Sequence, residues 1–280
     1  MLSFPASPLF ASCPDPRVEP EKWLAHKLPA GWDWLKPDYD SILLSRVQML
    51  DFLRKKPGGL QAAKAMYGSP WGFYDFLFDW GTILDPRLAA WGKDTEVPFV
   101  LFPRQVEFLT WMQRLVTFPA ENRSGKGNVS KTRGCGASTL ACFFSLWYWL
   151  FRPNSHIGLG SNLERSVYDS DNPKALFWKI ENGLRGLPEE FLPAGFQFGK
   201  HLMKGSGAGK LINPENGSTI NGDAGPAIGR GDRRLFYIID EHASLQYPVA
   251  AEAALQKTTN TLIRISTEKR DCLFHTQVVG

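Results

Sequence analysis

Two short stretches of this chain hold the residue types that nucleotide hydrolysis needs. The first is Lys131-Thr132-Arg133-Gly134-Cys135-Gly136-Ala137-Ser138-Thr139-Leu140, a cation-flanked glycine turn that ends in hydroxyls and runs into an apolar segment. The second is Leu235-Phe236-Tyr237-Ile238-Ile239-Asp240-Glu241, an apolar run that ends in two adjacent carboxylates. A glycine turn opening a helix offers phosphate its backbone N–H groups and the positive helix end. Ser138 stands where such turns place the hydroxyl that ligates Mg²⁺. Asp240, delivered by a central strand, can hold the metal directly or through water. Glu241 at the strand tip can orient and deprotonate an attacking water. The chemistry implied is hydrolysis of a Mg²⁺-bound nucleoside triphosphate.

The usual phosphate loop reads GxxxxGK[ST], and its lysine contacts the terminal phosphates. Ala137 occupies that position here. The missing cation can come from Lys131 at the end of the preceding strand or from Arg133; either side chain reaches a phosphate lying over the Gly134–Gly136 bend. Gly134, Gly136, Ala137, Ser138 and Thr139 then line the nucleotide. A second run, Gly205-Ser206-Gly207-Ala208-Gly209-Lys210, looks closer to the pattern but is followed by Leu211, which cannot bind Mg²⁺, and by a hairpin signature. Gly125-Lys126-Gly127 lacks both an upstream strand and a hydroxyl. Neither is assigned a role. Farther on, Ser266 and Thr267 end an apolar run, where hydroxyls can sense the γ-phosphate. In Phe102-Pro103-Arg104-Gln105, the Gln105 amide matches the donor and acceptor of adenine N6 and N7.

These motifs need a scaffold of strands and helices, and the pattern supplies one. Residues 1–40 are proline-rich and read as an irregular arm; 41–97 read as a helical N-terminal subdomain, with apolar spacing over 39–64 and an aromatic helix over 71–80. The core is expected over 98–280. It opens with an extended 99–103 and a helix over 105–118. A strand at 128–133, a helix at 137–151, a strand at 156–160 and a helix at 173–187 follow. Next come a hairpin at 211–222 turning at Asn216-Gly217, a strand at 235–240, a helix at 248–256 and a strand at 261–267. Strands alternating with helices predict an α/β fold with a mostly parallel central sheet flanked by helices.

Composition excludes little. The 280 residues are 43% hydrophobic and 21% charged, ordinary for a globular protein, and suffice for a sizeable core. A formal net charge of +4 allows nucleic acid as a partner without demanding it. The four cysteines form no CxxC pair and no His-linked metal spacing, so they read as reduced thiols. No N-terminal secretory pattern is present, and the apolar 142–151 run is too short to span a bilayer.

Taken together, the motifs resemble the large terminase subunit of tailed bacteriophages, the ATPase that drives DNA into capsids. The resemblance covers roughly residues 70–275. It rests on Phe102-Pro103-Arg104-Gln105, the segment from Lys131 to Ser138, Phe177-Trp178-Lys179, Ile212-Asn213-Pro214-Glu215-Asn216-Gly217-Ser218, Gly229-Arg230-Gly231-Asp232-Arg233, Ile239-Asp240-Glu241 and Ile265-Ser266-Thr267. Large terminases often displace the basic residue to the start of the phosphate loop, as Lys131 is here. The resemblance implies a P-loop NTPase of the ASCE/RecA-like type. Lys131 and Arg133 would then be phosphate contacts and Glu241 the catalytic carboxylate. Ser138 and Asp240 would be Mg²⁺ ligands, Gln105 the adenine reader, and Ser266 and Thr267 the coupling motif. It further implies ATP as substrate, and double-stranded DNA, a portal protein and a small terminase subunit as partners. A homo-oligomeric ring is expected during packaging, with a monomer possible in isolation, at a host-cytoplasmic location with no membrane. The family continues into a nuclease domain that is not expected in this chain. Glu268-Lys269-Arg270 departs from the family's Pro-Asn-Gly after the coupling motif. Two competing readings are a helicase-like DNA-remodelling ATPase, because Asp240-Glu241-His242-Ala243 resembles a DExH box, and a catalytically degenerate assembly protein. Arg165, Arg230, Arg233 and Arg234 are candidates for a transition-state arginine, and none is singled out.

Overall fold

The structure is a computed structural model that describes residues 13–117, 125–205, 208–269 and 272–279. Four helices lead the chain: α1 (Pro20–Lys27), α2 (Tyr39–Lys55), α3 (Gly59–Tyr67) and α4 (Phe73–Trp80). A short antiparallel pair, β1 (Thr82–Leu84) and β2 (Glu96–Pro98), precedes α5 (Pro103–Thr117). Then come β3 (Lys126–Lys131), α6 (Ala137–Phe151), β4 (His156–Ser161), α7 (Glu164–Val167), α8 (Leu176–Arg185) and α9 (Phe198–His201). They are followed by β5 (Leu202–Gly205), β6 (Ala208–Ile212), β7 (Thr219–Ala224), β8 (Phe236–Asp240), α10 (Pro248–Thr258), β9 (Leu262–Thr267) and α11 (Leu273–Val279).

The central sheet has seven strands in the order β3-β9-β8-β4-β7-β6-β5. The first five run parallel, and the β7-β6-β5 edge is antiparallel. Chain order explains the parallel part: α6 and its neighbours cross over between strands, whereas the β6–β7 connection is a tight turn. That turn carries Gly217 at φ 75° and pairs Ile212 with Thr219, in line with the Asn216-Gly217 signal. β8 is buried along its whole length, as a strand covered on both faces must be.

Helix α6 explains the aromatic wealth of the chain. Its residues from Leu140 to Trp149 are buried on every side, which makes it a central helix rather than a surface one. Phe144 and Tyr148 pack on Phe236 of β8, while Trp147 and Phe144 meet Phe73 of α4. Each such ring contributes on the order of 1.5–3 kcal/mol by leaving water. One set of buried side chains runs from Trp23 on α1 through α4, α5 and α6 to Ile265 on β9. On the other sheet face, Ala251 and Leu255 of α10 cover Tyr237, Ile239 and Leu262.

The structure differs from the expected elements in four places. The 1–40 arm carries α1, whose Trp23 and Leu24 join the core. The single helix expected over 39–64 is broken into α2 and α3, because Pro57 cannot continue the hydrogen-bond ladder and Gly58 turns left-handed at φ 73°. β3 spans Lys126–Lys131, so Arg133 lies in the turn instead of in the strand. The extended 99–103 segment forms no strand; pairing falls just upstream at β2. Phe118, at the end of the helix expected over 105–118, lies outside the described residues, as does Arg270. Among the described residues no helix is long and apolar enough to cross a membrane.

Candidate functional site: a phosphate turn facing an acidic strand end

Lys131 is the last residue of β3, and residues 132–136 turn the chain into α6. Gly134 and Gly136 hold φ of 79° and 80°, a region that side-chain-bearing residues rarely enter. At Gly136 an added Cβ would also stand 2.9 Å from Gln105 Nε2 and displace that amide. Gln105, in the first turn of α5, donates from Nε2 to the Cys135 carbonyl at 2.9 Å. Its Oε1 accepts from the Phe102 N–H at 2.9 Å. Both ends of this amide are engaged, so the side chain expected to read adenine braces the turn.

The acidic strand end lies opposite. Between β3 and β8 stands one strand, β9, hydrogen-bonded in parallel to both. Across it, the Lys131 Nζ is 3.3 Å from Asp240 Oδ1 and 3.1 Å from Glu241 Oε1, and it donates to Ser138 Oγ at 2.9 Å. The ammonium thus donates one hydrogen bond, to Ser138, and forms ion pairs with both carboxylates. Burial by itself would push the Lys131 ammonium down, but the Asp240 and Glu241 charges outweigh it, and the net shift is upward. The cation therefore stays charged.

Glu241 has φ 55° and ψ 41°, a left-handed conformation that is strained for a residue with a side chain. Its Oε2 accepts from Thr267 Oγ1 at 3.2 Å. Ser266, fully buried, accepts the Ala243 N–H on its Oγ at 3.1 Å. Both hydroxyls ending β9 thus touch the turn that carries Glu241. Ala137 is buried as the first residue of α6, and Thr139 follows half-buried within that helix. Arg133 is exposed on the turn. The remaining predicted residues converge on one spot.

Mg²⁺ fits the residues present. Asp240 is 9% exposed, and among the described residues its Oδ1 accepts no hydrogen bond although Lys131 lies within ion-pair reach. A buried carboxylate oxygen left in that state is costly unless a cation or water joins it. Ser138 Oγ shares the same ammonium. Mg²⁺ is ordinarily held by one or two protein oxygens together with waters and substrate phosphates, and Ser138 and Asp240 are such a pair.

Other motif segments prove structural. Asn213 and Asn216 donate to the Trp149 carbonyl at 2.8 and 3.1 Å, and Ser218 Oγ donates to the Arg152 carbonyl at 2.7 Å. They cap the carbonyls left open at the C-terminus of α6. The Gly205–Lys210 run lies in the antiparallel β5–β6 hairpin, with Ser206 and Gly207 outside the described residues. No helix follows it. Lys210→Ala is expected to leave nucleotide turnover unchanged within about twofold, as for surface substitutions generally; a steady-state assay in which the rate collapsed would move the phosphate site to that hairpin.

Sequence reasoning missed a buried polar network behind Glu241. Arg264 of β9, 3% exposed, clamps Glu252 of α10 with two bonds, Nε to Oε1 at 2.5 Å and Nη2 to Oε2 at 2.7 Å. His242 Nε2 meets Glu252 Oε1 at 3.1 Å, and Gln277 Nε2 of α11 donates to the same oxygen at 3.1 Å. Asn128 of β3 links Arg264 Nη1 to the Gln277 carbonyl, both at 3.0 Å. Burial would raise the Glu252 carboxyl, but bonds from His242, Arg264 and Gln277 overcome it and hold the group down at about 2. Because the folded value lies below the ordinary 4.5, the unfolded chain takes up this proton first. The stabilisation is complete above pH 4.5 and is lost as pH falls through about 2. Urea unfolding midpoints are expected to drop across that window, and Glu252→Gln to flatten the drop; parallel curves for the two proteins would disprove the assignment.

The site is thus a strand, a glycine turn and a helix facing a buried acidic strand end across one inserted parallel strand, within a mostly parallel α/β sheet. No protein-family model and no curated protein sequence matches the chain. Solved structures do. Two of the ATPase domain of the Thermus phage P74-26 large terminase match with TM-scores of 0.39 at 18% and 19% identity. They cover 57% and 54% of this chain and 66% and 62% of theirs. The large terminase of a thermophilic bacteriophage matches with a TM-score of 0.37 at 10% identity, over 55% of this chain and 38% of that one. A structure of that same terminase in complex with ADP matches with a TM-score of 0.34 at 10% identity, covering 55% of this chain and 37% of that one. This chain thus spans under two thirds of the P74-26 domain and under two fifths of the other terminase.

Proposed function

We propose that this chain is the ATPase portion of a phage large terminase, hydrolysing ATP to move double-stranded DNA into a capsid. The observation that carries the hydrolytic reading is the convergence of Ser138, Asp240 and Glu241 on one ammonium, Lys131 Nζ, within 3.3 Å. The packaging role rests on the motif resemblance from Phe102 to Thr267.

The residues divide the work as follows. The Gly134–Gly136 turn and the N-terminus of α6 receive the β- and γ-phosphates. Lys131, now shared by two carboxylates, turns its charge to the polyphosphate when one arrives. That movement frees Glu241 Oε1, while Thr267 keeps Oε2 in place, so the carboxylate can take a proton from water aligned with the γ-phosphate. Ser138 and Asp240 would hold Mg²⁺, which would supply positive charge against the phosphates. Ser266 and Thr267 join the end of β9 to the Glu241 turn, so loss of the γ-phosphate reaches the sheet. DNA would be gripped through its phosphates, giving little sequence preference and strong salt dependence. The test is ATP hydrolysis by the native chain beside Glu241→Gln, with and without duplex DNA. Equal background rates for both proteins would leave the chain a non-hydrolysing assembly protein.

A further inference from the structure

We infer that His242, Glu252 and Arg264 are positioning residues that hold Glu241 in its left-handed conformation. This inference rests on Glu241 acting as the base proposed above.

Strain at one backbone position persists only where the surroundings over-determine it. The Glu241 carboxylate is fixed on one side by Lys131 and Thr267, but those contacts are lateral and one of them must yield to substrate. What fixes the backbone is the next residue. His242 is 1% exposed, its ring packs on the buried Phe274 with centroids 5.7 Å apart, and its Nε2 reaches Glu252. A carboxylate only accepts, so Nε2 carries the proton and His242 donates. Among the described residues its buried Nδ1 has no hydrogen-bond partner, so there Glu252 supplies the ring's polar anchorage. Glu252 in turn has little freedom, because Arg264 grips both its oxygens in a planar fork. Arg264 stands two residues before Ser266 on the same face of β9, and Ser266 holds the Ala243 N–H. One strand therefore pins the turn after Glu241 twice, at His242 through Glu252 and at Ala243 directly. Releasing His242 lets Glu241 relax toward an ordinary conformation and swings its carboxylate off the water path.

Two readouts test this on the full chain, with His242→Ala and the rescue variant His242→Gln, whose amide can again donate to Glu252. Hydrogen exchange at the Ala243 amide reports on the turn whether or not ATP is hydrolysed. His242→Ala is expected to speed it roughly tenfold, the scale of losing one hydrogen bond's local stability, and His242→Gln to restore it. Turnover should fall about 10²-fold in His242→Ala, as for an ångström-scale misplacement of a catalytic group, while binding of a fluorescent ATP analogue stays within twofold. A residue that merely supports the fold would instead lower thermal stability and nucleotide affinity together. A folded His242→Ala protein with native exchange at Ala243 would overturn the inference. Absent hydrolysis by the native chain would overturn the ATPase reading alone, leaving the exchange result to decide this one.

Discussion

Lys131→Ala is expected to slow ATP hydrolysis by roughly 10²-fold or more, the scale for removing one preorganised charge stabiliser. The substitution does two things. It strips the glycine turn of its half-buried cation, for which Ala137 offers no substitute. It also leaves Asp240 and Glu241 facing each other without the ammonium that now lies 3.3 and 3.1 Å from them. Lys131→Arg restores charge but not shape, since a planar guanidinium cannot take the place of a compact ammonium lying between Ser138, Asp240 and Glu241. Turnover by the Arg variant should stay well below native. A rate for Lys131→Ala within a few-fold of native would show that Arg133, exposed on the same turn, is the phosphate cation instead.

Glu241→Gln is expected to lower turnover by about 10²–10⁴-fold, the range for a positioned general base. The amide is nearly the same size and can still accept from Thr267 Oγ1, so the turn and the nucleotide affinity should be kept. The signature is therefore a fall in kcat with KM and analogue binding close to native. A rise in KM with kcat unchanged would make Glu241 a binding residue and send the search for the base elsewhere.

Much of the candidate site is legible in the sequence because its parts are local. The glycine turn between Lys131 and Ser138 and the apolar run ending at Asp240-Glu241 each fit within a dozen residues, and alternation of strands and helices places them in one sheet. What is not legible depends on distant contacts. The Gln105 amide carries no mark that says whether it will face a base or the Cys135 carbonyl, and the packing of α5 decides. The break at Pro57-Gly58 is visible, but apolar spacing on either side of it argues for a continuous helix. The Arg264–Glu252–His242 network draws on residues from β9, α10, the turn after β8, β3 and α11, with no spacing that links them. The only hint is a charged arginine amid the apolar residues of 262–265.

The insertion of β9 between β3 and β8 has a metric consequence. Neighbouring strands sit about 4.8 Å apart, so the tips of β3 and β8 are separated by nearly twice that distance. A side chain spanning such a gap must be long, slender and tipped with a compact charge, which describes lysine and little else. The spare strand thus acts as a gauge block, and it makes the end of β3 a place from which a cation can command both the cradle and the acids. In an arrangement with the two strands adjacent, the same lysine would overshoot.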